Sequence, residues 1–169
     1  MLALAALCFA SGGASAQQTD GKSVAPKTYK AYMVSDAHLD TQWNWDVQTT
    51  IREYIPRTLF QNLYLMERFP DYRFSFEGGV VYSWMKEYYP MHYERMKKYI
   101  ASGQWHIAGA SWDANDPNMP SAESFFRNIL LGQEFYKKEF GVRSTDIFLP
   151  DCFGFGYTPV SYTHLTLPT

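Results

Sequence analysis

The chain predicts an α/β fold, a parallel sheet assembled from βα units. Candidate strand, loop and helix alternate four times from residue 29 onward, and no two-residue hairpin turn joins one strand to the next. Polar side chains cluster where each candidate strand finishes, the edge at which parallel sheets and barrels bind ligands. At 169 residues the chain holds about one domain's worth of sequence.

Residues 1–16 come first: an apolar run after Met1, then small residues ending Ala14-Ser15-Ala16. This is the pattern of a secretory signal peptide cleaved before Gln17, so the expectation is export to a periplasm or the exterior. No Lys or Arg precedes the apolar run, which places the true start upstream or makes Met1 internal to a longer signal. The run is too short to span a bilayer. Residues 17–28 are polar with Gly and Pro and read as a linker.

Tyr29–Val34 is the first predicted strand. From Thr49 the pattern turns helical: Ile51, Ile55, Leu59, Leu63 and Met66 recur about one turn apart until Phe69-Pro70 stops the run. Pro56, inside that run, either starts the helix or kinks it. Tyr72–Glu77 alternates aromatic and polar residues as a second strand, closed by Gly78-Gly79. A helical stretch from Val81 to Ile100, interrupted or restarted at Pro90, ends at Ser102-Gly103. Gln104–Ala108 is the third predicted strand, and Ser111–Pro120 a polar, turn-rich loop. Ser121 opens an amphipathic helix from Ala122 through Phe140, with Gly141 just past its end. Asp146–Leu149 is the fourth predicted strand, delivering Pro150-Asp151 at its end.

Aromatics make up 18% of the chain, with thirteen Tyr and five Trp, enough to supply stacking surfaces for sugars as well as an aromatic core. The net charge of −2, with both signs spread along the chain, lacks the basic footprint of a nucleic-acid binder. Cleavage before Gln17 leaves Cys152 as the sole cysteine, with no intrachain disulfide.

Two stretches carry chemistry. Val34–Trp45 sets His38 two positions from Asp40, with Trp43 and Trp45 just behind. In a strand such a pair faces one side, and an imidazole with a carboxylate suits a borderline divalent metal such as zinc. A surface histidine bonded to a neighbouring carboxylate explains the pair equally simply. Phe148–Gly156 places Asp151 at a strand end, ahead of glycines that let backbone approach a ligand closely. Asp151 there suits catalysis, metal binding or the capping of a turn. Topology brings His38, Asp40, Glu77, Asp113, Asp116 and Asp151 to one face, with Glu77 and Asp113 shaping the cluster. His92 and His106 read as ordinary partly buried or surface histidines.

Together the two stretches resemble the retaining α-mannosidases of glycoside hydrolase family 38. His38-Leu39-Asp40-Thr41-Gln42-Trp43 is similar to the family's His-x-Asp-x-x-Trp, and Asp151-Cys152-Phe153-Gly154 to its Asp-x-Phe-Gly. Between them Trp112, Asp116-Pro117-Asn118-Met119-Pro120-Ser121, Glu123-Ser124, Arg127, Gly132 and Phe140-Gly141 follow the family pattern in order. The resemblance spans Tyr29 to Thr158. It implies zinc held by His38, Asp40 and Asp151, with Asp151 also the nucleophile that forms a covalent glycosyl-enzyme. It implies that Trp43 packs against the mannose ring and Asp116 contacts a mannose-containing glycan substrate. The implied architecture is the first part of a (β/α)7 barrel, truncated after about four strands.

In that family the fourth zinc ligand, a histidine, and the acid/base aspartate lie further along a much longer chain. The expectation is therefore an N-terminal fragment of a catalytic domain, residues 29–158, inactive alone. Residues 159–169, including His164, do not continue the family pattern and are expected to be a non-family tail. Two other functions fit the residues: a metal-dependent polysaccharide deacetylase-type hydrolase with Asp151 or Asp40 as general base, and a non-catalytic sugar-binding module. The sequence assigns no linkage preference and no oligomeric state.

Overall fold

The computed structural model describes residues 28–152. The expected signal peptide, linker residues 17–27, Phe153–Thr158 and the tail with His164 lie outside the described residues. Thr28–Ala31 contain no helix or strand, and the compact unit begins at Tyr32.

The first strand forms later than Tyr29–Val34. Strands β1 (Ser35–Ala37), β2 (Phe74–Phe76) and β3 (Trp105–Ile107) make a parallel sheet in the order β1-β2-β3. The register aligns Ser35 with Phe74 and Trp105, and Ala37 with Phe76 and Ile107. A ladder needs a partner at every rung. The Ser35 amide bonds to the Arg73 carbonyl (3.0 Å), and upstream of Arg73 the chain turns away, with Tyr72 N–H bonded back to Phe69. Tyr29, Tyr32 and Met33 therefore have no rung to join and remain exposed.

The expected fourth strand is also absent. Asp146–Leu149 forms no ladder; Ile147 and Leu149 instead pack on Ala110, Phe125 and Ile129. The sequence pattern there was apolar enough for a strand, but side-chain packing satisfies it. The chain is thus α/β with three parallel strands among the described residues.

Helices carry the crossovers. Asp46 caps α1 (Val47–Thr49), its carboxylate accepting the Thr49 amide at 2.8 Å. A π-turn over Thr50–Tyr54 leads into α2 (Ile55–Arg68). Pro56 falls in the first turn of α2, where its missing N–H is harmless. The widened turn just upstream, with the Ile55 N–H reaching the Thr50 carbonyl, absorbs the bond a proline would otherwise break. The next crossover splits as expected into α3 (Gly79–Tyr88) and α4 (Pro90–Ser102). Helix α5 (Ala122–Phe140) starts at Ser121, whose hydroxyl accepts the Ser124 amide, and stops at Gly141 in the left-handed conformation (φ 72°).

The core lies between the sheet and α2–α4. Phe74, Phe76, Trp105 and Ile107 point to one face and meet Ile55, Leu59, Leu63 and Met66, all buried. Each such side chain contributes roughly 1.5–3 kcal/mol on burial. Tyr82, fully enclosed, pins this layer: its hydroxyl donates to the Phe76 carbonyl (2.9 Å) and accepts the Trp105 indole N–H (2.8 Å).

Candidate metal centre

The register decides which residues leave the sheet side by side. Ala37 and Phe76 are the paired last residues of β1 and β2, so His38 and Glu77 emerge together at the carboxyl edge. Their side chains meet: His38 Nδ1 lies 2.9 Å from Glu77 Oε1. The other ring nitrogen, Nε2, lies 3.3 Å from Asp40 Oδ1 and 4.0 Å from Asp151 Oδ2. One donor atom from each of His38, Asp40 and Asp151 falls within 4.8 Å of the others.

Nε2 is the one buried side-chain polar atom among the described residues that makes no hydrogen bond. Such atoms are rare, and each calls for an explanation. A cation provides one. An imidazole nitrogen and two carboxylates are ordinary zinc donors, and three of them leave a tetrahedral ion room for one further ligand. Ligands about 2.1 Å from a tetrahedral ion stand roughly 3.4 Å apart, close to the His38–Asp40 separation. The residues present therefore fit the metal.

Electrostatics are consistent with a site that attracts positive charge. Burial opposes an imidazolium at His38, yet the Glu77 hydrogen bond and the charges of Glu77, Asp40 and Asp151 outweigh it and raise its pKa. Glu77 is only 6% exposed, and burial pushes its carboxyl up despite the opposing pull of His38; Asp113 and Asp40 add to the rise. Burial likewise raises Asp113, against hydrogen bonds from Ala114 and Thr41.

The loop that carries His38 and Asp40 is fastened at its base by Thr50. This residue is fully buried in the π-turn; its hydroxyl donates to the Thr41 carbonyl (2.9 Å) and accepts the Trp45 indole N–H (2.8 Å). A second tether runs to the loop after β3, where the Thr41 hydroxyl donates to Asp113 at 3.2 Å. That loop is in turn seated on α5. The Asn128 side chain accepts the Asp113 amide and donates to the Asp113 carbonyl, each at 2.9 Å, and Tyr136 donates to the Ser111 carbonyl. Thr50→Val removes one hydroxyl without changing shape and strands two partners. It is expected to cost about 1–3 kcal/mol, read as a lower urea midpoint at unchanged m-value.

The sequence-predicted residues thus sort into three groups. His38, Asp40 and Asp151 come together, as the motif reading expects, but not through strand alternation: β1 ends at Ala37 and the pair sits on the loop beyond it. Glu77 and Asp113 do shape the cluster, one on His38 and the other on Thr41. Asp116 is occupied on its own loop, accepting the Asn118 amide at 2.8 Å, and Trp43 stands 69% exposed, edge-on to Trp45. His92 lies against Phe60 and His106 bonds to Asp146, both away from the trio. Thr41, Thr50 and Asn128 were not singled out by the sequence; a hydroxyl or amide inside a helix or loop gives no periodic signal.

A parallel βα sheet with metal-type donors at its carboxyl edge defines the class: an α/β protein with a candidate metal centre at the strand ends. Residues 28–164 match the glycosyl hydrolases family 38 N-terminal domain, and the chain belongs to that family. It is 38% identical over 126 residues to Alpha-mannosidase G of Dictyostelium discoideum, covering 75% of this chain and 12% of that protein. It is 36% identical over 118 residues to human Alpha-mannosidase 2C1, covering 70% of this chain and 11% of that one. The crystal structure of an alpha-mannosidase from Enterococcus faecalis V583 superposes with a TM-score of 0.68 at 27% identity, over 80% of this chain and 15% of that chain. The chain therefore spans about an eighth of the length of these relatives.

Proposed function

We propose that the chain is the zinc-binding N-terminal part of a retaining α-mannosidase that removes terminal α-linked mannose from glycans. What carries this is the His38–Asp40–Asp151 trio around a buried Nε2 without a hydrogen bond, in a chain of this family. The complete domain would close as a (β/α)7 barrel, and residues 1–16 would direct export.

When bound, zinc would polarise and orient adjacent sugar hydroxyls and favour ring distortion toward an oxocarbenium-like transition state. His38, Asp40 and Asp151 would hold it. Asp151 is the more open of the two carboxylates, its side chain 63% exposed, so one oxygen can face substrate. That oxygen bonds to the anomeric carbon as the glycosidic bond breaks, the leaving oxygen taking a proton from a general acid. Water then attacks the same carbon, giving its proton to the conjugate base of that acid, and Asp151 departs as a carboxylate, for net retention. In this reading Trp43 offers a flat face to the sugar ring, and Asp116 accepts from a sugar hydroxyl, as the family resemblance implies.

The general acid and a fourth ligand are assigned to an aspartate and a histidine of later family motifs. The 169-residue chain is therefore expected to bind one zinc ion and to leave an aryl α-mannoside intact. Equilibrium dialysis and a chromogenic assay check both halves. Measurable turnover by the purified chain would overturn the assignment of the acid. Mannose binding that survives chelator and Asp151→Asn would favour a non-catalytic sugar-binding module instead.

A further inference from the structure

We propose that Glu77 is a positioning residue that sets the tautomer and tilt of the His38 ring, so that Nε2 presents its lone pair to the metal. The inference rests on the zinc reading of the trio and adds a carboxylate outside it.

The geometry is direct. Glu77 and His38 each follow the last rung of the β1–β2 ladder, Ala37–Phe76; Glu77 is almost enclosed, and its Oε1 lies 2.9 Å from His38 Nδ1. With Glu77 acting as a carboxylate acceptor in this contact, Nδ1 carries the proton and donates it. In a neutral ring the proton then cannot be on Nε2, which is the nitrogen aimed at Asp40 and Asp151 and the one without a hydrogen bond. A histidine that ligates metal through one nitrogen and donates the other N–H to a carboxylate is held in orientation and made a stronger donor. Glu77 itself is held by the short strand that also sets the sheet register, so the ring's tilt is coupled to the fold rather than to the mobile reach of a surface side chain.

The alternative is that Glu77 is only a buried acid neutralising its surroundings. The two differ in what a conservative change does. Glu77→Gln keeps an acceptor oxygen for Nδ1–H, whereas Glu77→Leu keeps volume and removes the acceptor. Zinc affinity of the full 169-residue chain, measured by competition with a chromophoric chelator, is expected to fall about 10–100-fold in Glu77→Leu and less in Glu77→Gln. Circular dichroism checks that each variant is folded; if Glu77→Leu does not fold, Glu77→Gln and the spectrum below decide. Nitrogen-15 spectra of the histidine ring in the zinc-free parent at a pH where His38 is neutral are expected to show Nδ1–H, with that preference weakened in the variants. Equal zinc affinity in the parent and both folded variants, or a neutral ring protonated at Nε2 in the parent, overturns the proposal. Should the parent bind no zinc, the metal reading itself fails; the ring spectrum then still judges Glu77 alone, Nδ1–H supporting it and Nε2–H overturning it.

Discussion

Gly132→Ala is expected to be the most damaging glycine-to-alanine change among the described residues. A Cβ built at this helical position would stand 2.2 Å from the Ala110 carbonyl oxygen, 2.4 Å from the Ser111 carbonyl carbon and 2.6 Å from the Trp112 nitrogen. All three are backbone atoms, so no rotamer change relieves the overlap. Alanine gains about 1 kcal/mol of helix propensity over glycine, but overpacking against a fixed main chain costs about 3 kcal/mol or more. The loop it strikes also accepts the Gly79 and Val80 amides of α3 and carries Asp113 to Thr41. Damage should therefore spread from α5 toward the site. Urea denaturation should show a net loss of at least about 2 kcal/mol. Gly141→Ala is the control: nothing lies within 4 Å of its added Cβ, leaving only a left-handed-backbone penalty of about 1–2 kcal/mol. Equal stability of the two variants would show that α5 does not rest on this loop as described.

That contrast also explains what could be read from the sequence. Helix α5 was legible to the residue because its signals are local: a capping serine, an apolar face, a terminating glycine. Gly132 was visible as a match to the family pattern, yet its reason lies in a backbone segment about twenty positions upstream, which no helical periodicity reports. The strands were legible as a class but misplaced. Tyr29–Val34 looks more strand-like than Ser35–Ala37, but pairing is decided by where Phe74 begins, and strand propensity cannot override the lack of a partner. Asp146–Leu149 forms no ladder although β3 has an open edge, because its apolar side chains pack on Ala110, Phe125 and Ile129 instead.

The site divides in the same way. Topology put His38, Asp40 and Asp151 on one face with Glu77, Asp113 and Asp116; only the resemblance of two short motifs to the family singled out the three as a ligand set, and the trio does assemble. Glu77 was read as a strand-end residue that shapes the cluster, with no partner named. Its contact with His38 follows from the register Ala37–Phe76, a non-local quantity that emerges only when the two strands are laid side by side. Asp116 was placed at the same face by topology, but a two-residue Asx-type turn engages its carboxylate locally.

His38→Ala is expected to abolish the response to zinc. At zinc a hundredfold above its Kd, binding to the native state alone stabilises the parent by about 2.7 kcal/mol, a rise of roughly 5–10 °C in Tm for a domain of this size. The trio offers the site one nitrogen donor, Nε2, a buried atom 3.3 Å from Asp40 Oδ1. Losing it leaves two partly exposed carboxylates, too few donors to hold zinc against water. Because the three act as one unit, His38→Ala combined with Asp40→Asn should give no further loss of zinc response beyond His38→Ala alone. Differential scanning calorimetry with and without zinc checks this directly. A His38→Ala chain that still gains the full parental shift would place the ion elsewhere, and additive losses in the double variant would mean that His38 and Asp40 serve separate ions.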